Sequence, residues 1–413
     1  NLLELGQSKI FVLEDKDNFE DIIYNGREDF LYASFSKVRL VSAFVFCGQG
    51  PQYIDMGMEM CEKFHVFLES ILRCDVYWKK FTGESFIEKN KLFLPEYKEE
   101  DRSLIKINEP IIAQPSLFFY QVSLFELYKS FNILPDAVIG HSAGELAAFY
   151  CSGAISLEDS IKILYYRSFY QQKTCGFGNM IVINISYPEF EKLEHANELN
   201  LELACENDKN NIVLSGSKGS ILKLKDLLDE KGIFNSIIRG ECPFHSSYQE
   251  IIKDSILNNI VNIKFNKPKI KLISSTLGME MNENNYEQDY WWRNIREKVS
   301  FYQAMKQLNY TDIFVEIGPH PVLANNIKNI YDSVEILSSS NRKLTSSKVF
   351  MLTIANLWAA GYEINLDNFG VKNNDYFPKI YWNHKKFINV PLNSINRRQG
   401  INNDLDLIEF STK

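Results

Sequence analysis

Apolar residues along this chain gather into short unbroken runs, separated by longer stretches of helical period. Leu40-Val41-Ser42-Ala43-Phe44-Val45-Phe46 is the first such run. Its lack of alternation predicts a strand buried on both faces, leading into a Gly48-Gln49-Gly50 turn. Helical spacing follows at about 56–80 and 112–131. A second apolar strand, Ala137-Val138-Ile139, is predicted within 136–145, directly before another helix. Ser156 then reads as an N-cap, with Glu158 and Asp159 in the first turn of the helix it opens. Strands alternating with helices in this way predict a parallel sheet covered on both faces.

The stretch 178–240 has a different rhythm. Met180–Ser186, Leu201–Cys205, Asn211–Ser215 and Ile233–Arg239 read as strands, Tyr187–Leu193 and Lys218–Lys231 as helices. That order, β-α-β-β-α-β, is ferredoxin-like. Buried strands resume at Lys269–Ser275 and Asp312–Ile317, so the unit is expected to be an insertion. The predicted fold class is therefore α/β. A large α/β-hydrolase-like parallel-sheet subdomain (39–177 and 241–345) carries the inserted ferredoxin-like subdomain (178–240). Segments 1–38 and 346–413 are expected as flanking linkers outside this core, with Val349–Gly361 as one amphipathic helix.

Composition narrows the function classes. With 413 residues, 45% hydrophobic and 24% charged, the chain can support two or three cores. No run reaches the ~18 apolar residues of a membrane span, and the N-terminus lacks a signal-peptide pattern. A net charge of −8 argues against broad nucleic-acid binding. Seven cysteines are scattered without a CxxC pair or Cys/His metal spacing. That argues against a zinc site and fits a reducing, cytoplasmic setting. The chain starts with Asn rather than Met, so it is expected to be part of something longer.

Against this background Gly140-His141-Ser142-Ala143-Gly144 stands out, because it joins the second buried strand to a helix. This is the sequence form of a nucleophile elbow, with Ser142 on the tight turn and backbone N–H groups facing an oxyanion. It points to acyl transfer through a serine ester. The serine needs a base, and six histidines are available. His65 and His195 read as surface residues, His384 as part of a polar tail, and the His141 side chain is expected to point away from Ser142. His245 and His320 remain. Pairing Ser142 with His245 gives an acyltransferase-like order, and pairing it with His320 the order of a hydrolase. The residues alone leave both open.

Phe44-Val45-Phe46-Cys47-Gly48-Gln49-Gly50-Pro51-Gln52 resembles the opening motif of a known family. The family comprises malonyl-CoA:acyl-carrier-protein transacylases and the acyltransferase domains of polyketide and type I fatty acid synthases. Gly140–Glu145, Tyr166-Arg167-Ser168 and Pro243-Phe244-His245-Ser246 are similar to its later motifs, as are Tyr290–Arg296 and Phe314–Leu323. They recur in family order from about 40 to 325. Leu357–Tyr362 and the tail beyond resemble the linker after such a domain, and residues 1–38 part of the linker from a preceding ketosynthase.

The resemblance implies roles residue by residue. Ser142 is the nucleophile and His245 the general base, its ring held by the backbone carbonyl at Asn294. The N–H groups of Gln49 and Ala143 form the oxyanion hole. Arg167 pairs with the free carboxylate of a malonyl group, and Gln114 and His141 lie at the same substrate site. Phe244 is associated with malonyl over methylmalonyl. No cofactor is held permanently; malonyl-CoA is the substrate and the phosphopantetheine arm arrives on an acyl carrier protein. The implied partners are that carrier, the CoA thioester and a ketosynthase in the same polypeptide, without nucleic acid or membrane. A basic patch including Arg293, Arg296 and Lys298 is expected to help dock the carrier. Departures are Cys47, where the family more often has a proline or small residue, Cys242-Pro243 before the Phe-His pair, and a loose match at Asn207. The rival readings are a serine hydrolase or proofreading thioesterase on the same elbow, a methylmalonyl-selective enzyme, and a docking domain without activity.

Overall fold

A computed structural model describes residues 39–97, 100 and 104–365, with a strand pair formed by β1 (Gln7–Ile10) and β2 (Leu31–Ser34). The first run of apolar residues is β3 (Ser42–Phe46), buried throughout. The helical spacing after it resolves into α1 (Met58–Lys63) and α2 (His65–Thr82), because Phe64 adopts an extended conformation between them. α3 (Pro110–Ser130) is apolar on nearly every face and runs through the core. Then come β4 (Ala137–Gly140), α4 (Glu145–Cys151) and α5 (Leu157–Gln172). Ser156 caps α5 by accepting from the Asp159 N–H.

The next segment holds β5 (Asn179–Ile183), α6 (Tyr187–Phe190), β6 (Glu202–Asp208), β7 (Asn211–Gly216), α7 (Lys218–Glu230) and β8 (Asn235–Ile237). Its four strands pair antiparallel in the order β6-β7-β5-β8, the ferredoxin-like arrangement. Ile181, Ile183, Ile212, Leu214 and the α7 residues Ile221, Leu224 and Leu228 form its own core. β9 (Lys271–Ser274), β10 (Met279–Glu280), α8 (Tyr290–Arg296), β11 (Ile313–Ile317), β12 (Glu335–Ser338) and α9 (Ser346–Ala359) are the later elements that bear on the site and the core.

The large sheet has the order β10-β9-β4-β3-β11-β12, parallel except at β10. Register pairs Phe46 with Gly140 on one side and with Ile317 on the other. Three loops, after β3, β4 and β11, therefore leave side by side from the carboxyl edge, where open parallel sheets hold their sites. Gln121 of α3 fastens this edge, donating to the carbonyls of Cys47 (2.7 Å) and Ile317 (3.2 Å).

α9 corrects an expectation. Placed outside the core from sequence, it instead buries Phe350, Ile354 and Leu357 in the main apolar cluster, with Phe350 against Tyr128 and Phe131. The Glu59 carboxylate accepts from the Ser346 and Ser347 N–H groups and so caps a helix almost three hundred residues away. Beyond α9 the chain returns to the start of β3. The Leu40 N–H donates to the Ala360 carbonyl (2.9 Å), the Tyr362 hydroxyl meets Ser42, and Arg39 lies over the Tyr362 ring. The tail that includes His384 lies outside the described residues, as does residues 1–38 apart from the strand pair.

Candidate active site

β4 ends at Gly140, and the chain turns through Ser142–Gly144 into α4 with Ser142 at φ 51°. A side chain in this left-handed region costs roughly 1–2 kcal/mol, a strain typical of functional turns. The turn closes because its glycines have no side chain. A Cβ on Gly140 would lie 2.2 Å from the Glu145 Cα, and one on Gly144 2.4 Å from the Phe46 and Cys47 carbonyls. A Cβ on Gly48 would be 3.5 Å from the Ser142 Cβ, so the Gly48-Gln49 turn abuts the elbow.

The imidazole at Ser142 is that of His245. Ser142 Oγ lies 2.7 Å from His245 Nε2, and His245 Nδ1 lies 2.8 Å from the Glu297 carbonyl oxygen. A carbonyl only accepts, so Nδ1 carries the proton and Nε2 offers its lone pair to the serine hydroxyl. The carbonyl expected at Asn294 is thus supplied three residues later by Glu297. α8 ends at Arg296, and its last turn leaves the Glu297 carbonyl free of the helix ladder. Burial, and then the nearby Arg167 cation, hold His245 down to about 3, against the opposing pull of its bond to Glu297. The ring is neutral at pH 7.

Arg167, on α5, is 2% exposed. Its Nη1 donates to Gln114 Oε1 (2.6 Å) and its Nε to Asn294 Oδ1 (3.3 Å). Among the described residues no carboxylate pairs with it directly. The counter-charge is Glu145, buried behind Asn294, whose Nδ2 donates to Glu145 Oε2 (2.8 Å) and the Ser142 carbonyl (3.3 Å). Thr276, Ser275 and Tyr290 also donate to that carboxylate. Burial pushes the guanidinium down to about 10, with Glu145 opposing, so it remains a cation. Asn294 therefore spans the nucleophile's backbone, the cation and its counter-ion. A desolvated cation whose direct partners are neutral amides suits an incoming anion.

The remaining sequence-predicted residues fall around this centre. Gln114 is buried inside α3, not at its start, and its Nε2 donates to Gln171 (2.9 Å) and to Gln49 Oε1 (3.5 Å). The Gln49 side chain donates to the Asn108 carbonyl. His141 is turned toward the smaller sheet, 2.8 Å from Asn207 Oδ1 of β6, and its pKa is lowered by burial. Phe244 is half-buried against the apolar cluster of β3 and β11. His320 lies in the turn after β11, where Glu316 accepts from the Val322 and Leu323 N–H groups. That motif shapes a loop.

Cys175 and Cys242 form a disulfide, 67 residues apart in sequence, tying the end of α5 to the loop that carries His245. The expected basic patch is neutralised: Arg293 pairs with Glu297 and Glu287, Arg296 with Glu202 and Glu250, and Lys298 with Glu206. Sequence reasoning passed over Glu145, Thr276, Gln171 and Gln249. Only the loose motif around Asn207 signalled that residue.

A family model described as "Acyl transferase domain" matches residues 43–360. "Probable polyketide synthase 23" of Dictyostelium discoideum is 33% identical over 386 residues, covering 86% of this chain but 15% of that protein. A loading acyltransferase of the avermectin modular polyketide synthase is 27% identical with a TM-score of 0.70, covering 77% of this chain and 99% of that one. The acyltransferase domain from the second module of the salinomycin synthase, at 22% identity, shares the fold with a TM-score of 0.78, covering 89% and 86%. Among the described residues no helix is long and apolar enough to cross a membrane. The chain belongs to the acyl transferase domain family.

Proposed function

We propose that this domain moves a malonyl-type extender unit from CoA to the phosphopantetheine thiol of an acyl carrier protein, through an ester on Ser142. His245 Nε2 takes the hydroxyl proton as Oγ adds to the thioester carbonyl. The oxyanion is met by the Gln49 and Ala143 N–H groups, each such donor contributing roughly 3–4 kcal/mol at the transition state. Collapse breaks the C–S bond, His245 returns the proton to sulfur, and free CoA leaves a malonyl-serine ester. The carrier's thiol then repeats the sequence in reverse, losing its proton to His245 and receiving the acyl group.

The observation that carries this reading is the pairing of Ser142 with His245, with a buried Arg167 one side chain away through Asn294. A planar guanidinium matches the carboxylate of a malonyl half-thioester, which acetyl lacks. Phe244 beside His245 crowds the acyl α-carbon, and excluding one methyl there is worth only about 1–3 kcal/mol. Carrier protein, CoA thioester and a ketosynthase on the same polypeptide are the partners we assign.

Intact-mass measurement with malonyl-, methylmalonyl- and acetyl-CoA tests the proposal. A malonyl adduct on Ser142 is expected, absent in Ser142→Ala and His245→Ala and unaffected by His320→Ala. Arg167→Ala should lose malonyl and gain acetyl relative to it. Rapid release of free malonate without a carrier would instead identify a hydrolase.

A further inference from the structure

Arg167 and the loop bearing His245 are joined by a line of buried side-chain amides. Arg167 Nη1 donates to Gln114 Oε1 (2.6 Å), and Gln114 Nε2 to Gln171 Oε1 (2.9 Å). Gln171 Nε2 donates to Gln249 Oε1 (3.4 Å), and Gln249 Nε2 to the Pro243 carbonyl (3.0 Å) and to Thr174 Oγ1 (3.0 Å). Gln171 and Gln249 are fully buried. Both ends fix the sense of the line. A guanidinium can only donate and a carbonyl can only accept, so each amide must take from its Arg167 side and give toward Pro243. Turning any one over would set donor against donor, or acceptor against acceptor, where no water competes. The Thr174 hydroxyl is itself committed to the Gln171 carbonyl (2.8 Å), which leaves its oxygen to accept from Gln249.

We infer that Gln171 and Gln249 are positioning residues that couple the grip on the substrate's carboxylate at Arg167 to the placement of His245. Pro243 lies two residues before His245, and Ser246 also donates to its carbonyl (2.7 Å). A displacement of the guanidinium toward a bound carboxylate pulls on Gln114 and passes along the line to the histidine loop. The Cys175–Cys242 bridge and the bond from the Gly176 N–H to the Glu241 carbonyl span the same two segments. The line therefore runs beside a covalent and a backbone tie between the same two segments. This inference rests on the malonyl-transfer reading above.

The test is a double-mutant cycle on the 413-residue chain, using Gln171→Met, Gln249→Met and the pair. The readout is the malonyl-to-acetyl ratio of kcat/KM for acylation of Ser142, which a general loss of folded protein does not move. Each single variant is expected to lower the ratio about ten-fold, and the pair no further, because either break severs one line. Should a methionine variant not fold, Gln249→Asn is measured in its place, with a fall in the same ratio expected. Folded variants with the wild-type ratio, or a pair whose loss is the product of the singles, would overturn the inference. Absence of a malonyl adduct on the unaltered chain would instead overturn the proposed function.

Discussion

Ser142 and His245 both hold positive φ, at 51° and 54°, so the two reacting side chains sit on backbones that the fold must keep under constraint. The pH behaviour of the pair follows from the neutral state of His245. In the free domain, acylation should retain its base well below the ordinary 6.5, so the acid limb of kcat/KM falls toward about 3. A malonyl carboxylate on Arg167 cancels one of the influences that hold the ring down. The acid limb of kcat is therefore expected at higher pH than that of kcat/KM; the check is that steady-state profiles taken down to about pH 3 show kcat falling at a pH where kcat/KM is still flat. The effect on stability has a definite sign. Between about 6.5 and 3 the unfolded chain binds a proton that folded His245 refuses, so stability falls as pH drops through that window. Urea unfolding at pH 7 and pH 5 should show a larger loss for wild type than for His245→Gln. The serine was legible because the chemistry restricts residue type, whereas its base stayed open between His245 and His320 until the family motif around His245 was read. The atom that orients the base was not legible, because any residue supplies a carbonyl and only the end of α8 decides which one is free.

At the scale of elements, the elbow depends on two glycines whose missing side chains allow β3, β4 and α4 to approach. Gly144→Ala forces a methyl group to within 2.4 Å of two carbonyl oxygens. We expect a loss of about 1–3 kcal/mol in urea unfolding, together with loss of the Ser142 adduct. The disulfide gives a second expectation. Alkylation of the unfolded, unreduced chain should mark five cysteines, and alkylation after reduction all seven. Strands and helices with a strong period were readable, including the ferredoxin-like order of β5 to β8. The Cys175–Cys242 pair was not, since nothing in the spacing brings residues 67 apart together until α5 and the His245 loop are packed. The break at Phe64 was hidden for a similar reason, because the apolar period continues across it.

Taken whole, the molecule places its nucleophile on the large sheet and His245 on the strand-to-helix loop after the smaller one. Asn207 and Asp208 of β6 link the two: Asn207 meets His141, and Asp208 accepts from Asn326 and Asn329. Charge at the surface resists reading from sequence, because Arg293, Arg296 and Lys298 look basic until the fold brings five glutamates against them. Lys298→Ala is accordingly expected to change the KM for a carrier protein less than about three-fold, since a cation already paired at the surface offers little further attraction. The meeting of Leu40 with Ala360 has a consequence for how such a unit travels between polypeptides. Entry and exit share one corner, so excision needs two cuts that are neighbours in space, and a host chain receiving the piece need not stretch to close around it. Recombination at those two points would exchange Ser142, His245 and Arg167 together, as one piece.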